Sequence, residues 1–326
     1  MKVKAVWVIE EGKIDIRDTE VPDPQPFQVT VEVKACGVCA WDSYLFRGIS
    51  APKPIPYVIG HEAVGIISKT GSAITHVKPG DKVFCAGGSN VMMAQYVTLP
   101  GANVVRIPDD TTDYVKWVAE PTCCTVNILY RSQIEPGDHV VVVGSGYMGL
   151  LAIMGLTRGS SAGKVTVFDI SDKHLELAKK YKPTAVYNPE TAEGKAAIKD
   201  IQDAGGADIV IELTAADAGF TLANELTSRQ GGPNLGGKLV IGSWHRHEMK
   251  FDGTLWHMSG LTVLNLSPMS NKNYKNILPR TGELIRKGIY TPGELVTHTA
   301  DYRDCTSVFL RSIDKKEGYI KGVVTF

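Results

Sequence analysis

The apolar run at residues 139–143 ends directly on Gly144-Ser145-Gly146-Tyr147-Met148-Gly149, and an apolar stretch suited to a helix follows at once. No other feature of the chain restricts its fold as much. A buried strand, a three-glycine turn and a helix in immediate succession suit a βαβ unit that carries a pyrophosphate on the helix N-terminus. The first glycine permits the tight turn, the second lets backbone approach the phosphates, and the third lets helix and strand pack closely. Asp169 closes the next apolar run, 20 residues after Gly149. There a carboxylate can accept from both ribose hydroxyls of an adenosine, and its charge would repel a 2′-phosphate. Lys173 and His174 are cations nearby, but no arginine follows Asp169 at once, so the pattern predicts NAD rather than NADP. Gly144, Gly146, Tyr147, Met148, Gly149 and Asp169 are the expected contacts to it.

Around this motif strands and helices alternate. Residues 165–168, 185–187, 208–213, 238–242 and 261–266 read as strands, with helical patterns between most of them, notably at 171–180. Together with 139–143 they suffice for a doubly wound parallel sheet. Gly205-Gly206 and the glycine-rich stretch 231–237 are loop signals. The first hundred residues have another texture. Short β-like runs at 4–9, 28–35, 63–68, 82–85 and 94–99 are separated by turns such as Pro22-Asp23-Pro24 and Lys78-Pro79-Gly80-Asp81, which predicts a compact, barrel-like all-β unit. Residues 114–132 suit one or two helices. The tail from Pro268 carries a helix at 276–287 and a strand at 320–325, and is expected to return to the first domain. The fold class is therefore α/β plus β, with domains at 1–122, completed by 268–326, and 123–267. A length of 326 residues is about twice that of a single domain, and 43% hydrophobic residues are enough to fill two cores.

Charge excludes some partners. Thirty-five basic residues balance thirty-five acidic ones, and neither sign forms a long block, which argues against nucleic acid and membrane surfaces. The longest apolar runs are strand-sized, far below the roughly 20 residues that span a bilayer. Residues 1–10 hold no secretory pattern. Six cysteines in a chain this long, two of them adjacent at Cys123-Cys124, do not resemble a small disulfide scaffold and fit a reducing cytosol. A cytoplasmic protein is the expectation.

The first domain also holds Cys36-Gly37-Val38-Cys39-Ala40-Trp41-Asp42, then Gly60-His61-Glu62, then Glu120-Pro121. One thiolate, one imidazole and one carboxylate can form a catalytic zinc site with an open fourth position. Each piece alone has a blander explanation. Cys36 and Cys39 could be half of a structural metal clip, although no second C-x-x-C completes one; His61 could be a satisfied core histidine and Glu120 a helix N-terminal charge.

The order C-G-V-C-x-x-D, G-H-E-A-V-G, P-G-D-K-V, A-x-Y-V, E-P and V-V-V-x-G-x-G-x-x-G resembles, in register over nearly the whole chain, the zinc-dependent medium-chain dehydrogenases. The match is best to their polyol and sugar branch, similar to sorbitol dehydrogenases, because Glu120-Pro121 stands where many alcohol dehydrogenases have a cysteine. The resemblance implies a GroES-like β-barrel catalytic domain closed by the C-terminal tail, a Rossmann domain between, and an active site in the cleft. It makes Cys39 the thiolate ligand, His61 the imidazole ligand and Glu120 the third ligand, directly or through water. Glu62 would compete for the metal or exchange with its water, Asp42 would fix the ring of His61, and Cys36 would be a buried small residue. Gly242, Ser243 and Trp244, with Asn265, Leu266 and Ser267, would meet the nicotinamide end. The implied reaction is hydride transfer between NAD and a secondary alcohol or ketone of a small polyol, sugar or cyclitol, with zinc as Lewis acid, in a homodimer or homotetramer.

The chain also departs from the family. Cys85 is followed by Ala86-Gly87-Gly88 and almost at once by the next strand, so the four-cysteine lobe of a structural zinc is missing and one catalytic zinc per chain is expected. Trp41 occupies the usual Ser or Thr position of the proton relay and cannot accept a proton. Tyr44 replaces the relay histidine and becomes its expected substitute. Trp41 either stacks on the apolar face of a sugar ring or fills a gap in the wall. Trp244-His245-Arg246-His247-Glu248 is either a substrate contact through Trp244 or an exposed polar loop. Three other readings remain: a zinc-free quinone or enone reductase on the same fold, a non-catalytic NAD-binding protein, and an oxidising step within a larger sugar or glycoside transformation.

Overall fold

A computed structural model describes residues 1–49, 54–87, 91–227, 236–266, 274–315 and 318–326. The chain forms two compact units, Met1–Cys123 with Lys275–Phe326, and Cys124–Tyr274. The expected loop at 231–235 and the expected boundary at 267–268 lie outside the described residues.

The first unit begins with β1 (Lys2–Glu10), β2 (Lys13–Glu20), β3 (Gln28–Val38), α1 (Ala40–Phe46), β4 (Tyr57–Val58), β5 (Ala63–Thr70), β6 (Lys82–Cys85), β7 (Tyr96–Pro100) and β8 (Val104–Arg106). α2 (Glu120–Ser132) follows. The second unit then alternates β9 (His139–Val143), α3 (Tyr147–Gly159), β10 (Lys164–Phe168), α4 (Asp172–Lys179), β11 (Ala185–Tyr187), α5 (Ala192–Asp203), β12 (Ile209–Glu212), α6 (Asp217–Leu226), β13 (Lys238–Ile241), α7 (Gly253–Met258) and β14 (Thr262–Asn265). The tail adds α8 (Tyr274–Arg286), β15 (Val296–Asp301), α9 (Thr306–Asp314) and β16 (Lys321–Thr325) to the first unit.

In the first unit β3 is the organising strand. It pairs antiparallel with β5, β7 and β16 inside the sheet β15-β16-β3-β5-β6-β8, while β2-β1-β4 form a smaller sheet. β16 sets Val324 opposite Cys36 and Gly322 opposite Val38, so the C-terminal strand lies beside the cysteine motif. Val31, Val33, Ile59, Phe46, Val83, Leu99 and Phe309 fill the core. The sequence pattern missed β2, β4, β8 and β15. β2 reads KIDIRDTE, with only two apolar residues among charges, because it is an edge strand with one exposed face.

The second unit is one parallel sheet in the order β11-β10-β9-β12-β13-β14. β9 and β12 are almost entirely buried, which is why they read as continuous apolar runs rather than alternating ones. The order reverses on either side of β9, and the loop after β9 sits at that switch point, where open α/β sheets bind ligands. Among the described residues no helix is long and apolar enough to cross a membrane.

Candidate active site

In the first unit the site starts at the end of β3. Cys39 leaves the strand in extended geometry and is the N-cap of α1. Asp42, at the third helical position, accepts from the Cys39 backbone N–H through Oδ2 at 3.0 Å and from Gly60 N–H through Oδ1 at 3.1 Å. One fully buried carboxylate thus ties the cysteine turn to the Gly60-His61-Glu62 segment. Its Oδ1 also lies 3.5 Å from His61 Nδ1, which leaves Nε2 as the ligand nitrogen. Burial alone lowers an imidazole pKa. Here Asp42 and Cys39 outweigh burial and hold His61 well above its ordinary value.

Cys39, His61 and Glu62 each offer a ligand atom within 4.8 Å of one another. Glu62 Oε1 is buried without a hydrogen-bond partner. A thiolate, an imidazole and a carboxylate in mutual reach, with Glu62 Oε1 left without a partner, fit a bound zinc ion. Cys36 differs from Cys39 as expected of a strand-interior residue: it is fully buried, and burial pushes its thiol well up. Cys85 is likewise pushed up, to about 12. All six cysteines are free thiols, and Cys39 alone is partly exposed.

Glu120 stands in the first turn of α2, buried, and is not among the three residues in mutual reach. The close carboxylate is Glu62 instead. Two residues that the sequence reading did not single out define it. Lys321 of β16 is 3% exposed, and its Nζ lies 2.5 Å from Glu62 Oε2 and 3.1 Å from Val38 O. Gly37 leaves room for that carboxylate, since a Cβ there would stand 1.9 Å from Glu62 Oε2. The only signal for Lys321 was a charge in an otherwise apolar strand. Trp41 packs half-buried against the core, and Tyr44 is half-buried on the same helix.

In the second unit the three glycines of the fingerprint have three different surroundings. Gly144 has φ +99°, a conformation that favours glycine, and a Cβ at Gly149 would stand 1.9 Å from Gly144 O. Gly146, the N-cap of α3, has nothing within 4 Å of its Cβ position. Asp169 Oδ2 accepts from the Ser145 N–H at 2.6 Å and the Ser145 hydroxyl at 2.9 Å, and Oδ1 accepts from Ser171 N–H at 2.8 Å. Burial raises a carboxyl pKa, but hydrogen bonds from His174, Ser145 and Ser171 outweigh it and hold Asp169 below its ordinary value. Tyr147 and Met148 begin α3. At the far side of the sheet, a Cβ at Gly242 would crowd Leu213 and Ile128, Ser243 bonds to the Glu212 carboxylate, Asn265 ends β14, and Trp244 is 48% exposed with Arg246 over its ring.

The family model "Alcohol dehydrogenase GroES-like domain" matches residues 25–109, and the model "Zinc-binding dehydrogenase" matches residues 133–281. D-xylulose reductase A of Aspergillus oryzae is 28% identical over 332 residues, covering 91% of this chain and 90% of that protein. The structure of ECK1772 from Escherichia coli, an oxidoreductase/dehydrogenase of unknown specificity, superposes with a TM-score of 0.88 at 23% identity, covering 100% of this chain and 99% of that one. The 2R,3R-butanediol dehydrogenase of Bacillus subtilis superposes with a TM-score of 0.83 at 22% identity over 99% of both chains. With the two family models following each other along the chain, the chain belongs to the zinc-dependent medium-chain dehydrogenases.

Proposed function

We propose that this protein is an NAD-linked dehydrogenase of a small polyol, sugar or related diol, working between a secondary alcohol and its ketone with one tightly held zinc per chain. The observation that carries the reading is the mutual reach of Cys39, His61 and Glu62, with Glu62 Oε1 left without a partner. Glu120-Pro121, and relatives named for xylulose and butanediol, support the polyol class. Bound zinc would supply Lewis acidity at the substrate oxygen, and bound nicotinamide would give or take the hydride.

The chain's own residues have separate tasks. Cys39 and His61 hold the metal, Asp42 orients the His61 ring, and Glu62 is the nearest carboxylate ligand, with Glu120 as a second carboxylate acting through water. Lys321 holds Glu62 in place. Asp169, hydrogen-bonded to the glycine turn through Ser145, presents a negative charge where NADP would carry its 2′-phosphate. Trp41 cannot take the alcohol proton, so Tyr44, which can donate and accept along a hydrogen-bond chain, moves it outward. Gly242, Ser243 and Asn265 face the nicotinamide end, and Trp41 and Trp244 contact substrate.

The test is NADH absorbance over a panel of polyols, sugars, cyclitols and their ketones, with NADP in parallel and Tyr44→Phe beside the unaltered protein. Turnover with NAD on a polyol, and a loss of roughly 10²-fold in Tyr44→Phe with NAD binding retained, are expected. Equal use of NADP contradicts the role of Asp169, and unchanged turnover in Tyr44→Phe makes the tyrosine a wall residue. Turnover of quinones or enones alone would favour the zinc-free reductase.

A further inference from the structure

A second group of ligand-type side chains gathers where β12 and β13 end, within the Cys124–Tyr274 unit. Asp217 opens α6, and His245 and His247 follow β13. These three each offer a ligand atom within 4.8 Å of one another. Neither the dehydrogenase reading nor the fingerprint uses any of them.

His245 is the informative member. Its side chain is 4% exposed, and Nε2 lies 2.9 Å from Glu212 Oε2. A carboxylate only accepts, so Nε2 carries the proton and Nδ1 keeps a lone pair. That Nδ1 is buried with no hydrogen-bond partner. Glu212 is itself fully buried and held as an acceptor by Thr214 N–H at 2.6 Å, Ala215 N–H at 3.0 Å and the hydroxyls of Thr214 and Ser243. A carboxylate fixing one ring nitrogen while the other offers a lone pair is the arrangement of metal-ligating histidines. Phe220 meets the ring edge-on at 5.9 Å and limits its rotation.

His247 and Asp217 supply the open side. His247 Nε2 lies 2.5 Å from Asp217 Oδ1, and the two side chains are 51% and 72% exposed. A surface hydrogen bond explains that contact. It does not explain a buried imidazole oriented by a carboxylate with its second nitrogen unsatisfied.

We propose that Asp217, His245 and His247 form a second, exchangeable site for a borderline divalent cation such as Zn²⁺, Co²⁺ or Ni²⁺. Two imidazoles and one carboxylate suit that class, and water fills the remaining positions. The contact between Asp217 and His247 opens to admit the ion. With no thiolate and two solvent-exposed ligands, the site holds metal more weakly than Cys39 and His61 do and loses it on dialysis.

The zinc-loaded protein is dialysed against increasing Co²⁺, with zinc and cobalt counted per chain and the absorption spectrum recorded. The expected result is one cobalt per chain beyond the retained zinc, with visible ligand-field bands and no thiolate-to-cobalt charge transfer. His247→Ala and Asp217→Asn, both surface changes, are expected to weaken cobalt binding by about 10-fold or more while the zinc count stays unchanged. Cys39→Ser is expected to lose the tight zinc and keep the cobalt. The proposal is overturned if no cobalt binds beyond that replacing zinc, if the added cobalt shows a thiolate band, or if it binds as well to His247→Ala and Asp217→Asn.

Discussion

Lys321 is a buried cation in a strand that otherwise reads as plain core, and its partner, the Glu62 carboxylate, is fully buried. Removing one member of such a pair leaves the other charge unpaired out of water, which costs about 3–5 kcal/mol. Lys321→Met is therefore expected to lower the stability of the metal-free protein by about that amount in denaturant unfolding, and Lys321→Arg to recover part of it. A loss under about 1 kcal/mol would mean that water reaches Glu62, and the positioning role would fall. The pair also marks what sequence reading could reach. Cys39, His61 and Asp42 were named through the resemblance, since the residues alone left Cys36 and Cys39 undecided and gave His61 a bland alternative. Glu62 was named only as a competitor, since its proximity depends on Lys321, which arrives from the other end of the chain through the β16–β3 register, and on the missing side chain of Gly37. Neither dependence leaves a local trace.

Among elements, the β9–α3 turn was the most legible, because its three glycines answer local backbone demands that spacing alone encodes. Two of them separate folding from binding. A Cβ at Gly149 would strike the Gly144 carbonyl at 1.9 Å, whereas one at Gly146 meets nothing within 4 Å. Gly149→Ala is expected to lower the melting temperature, and Gly146→Ala to leave it nearly unchanged while weakening NAD binding, read by NADH fluorescence titration. A fold-neutral Gly149→Ala would contradict the close packing of α3 on β9. The edge strand β2 was not legible, since its face toward water is charged and its pattern is that of a loop. The first residue of β9 gives a pH signature. Burial, with Lys164 adding to it, pushes the His139 pKa down to about 4. An ordinary histidine near 6.5 in the unfolded chain then takes up its proton first, so the folded state loses stability as pH falls from about 6.5 to 4. Melting temperatures over that range should fall less steeply for His139→Gln than for the unaltered protein, and parallel slopes would show that His139 does not carry the effect.

At the scale of the whole molecule, the α/β plus β class and the doubly wound sheet were readable from texture, because fully buried parallel strands and turn-punctuated antiparallel ones are built from different residues. The substrate was not readable in the same way, since specificity depends on pocket shape that no single motif encodes. The proposed zinc centre at Cys39 and His61 is what would make this fold an alcohol oxidoreductase. The most direct measurement strips the protein with a chelator and follows NADH formation from the best polyol of the panel as zinc is returned. Activity should be lost on stripping and return in proportion to added zinc, reaching its plateau near one equivalent per chain in the unaltered protein and staying absent in Cys39→Ser. Full activity in the stripped protein, or equal recovery in Cys39→Ser, would contradict it.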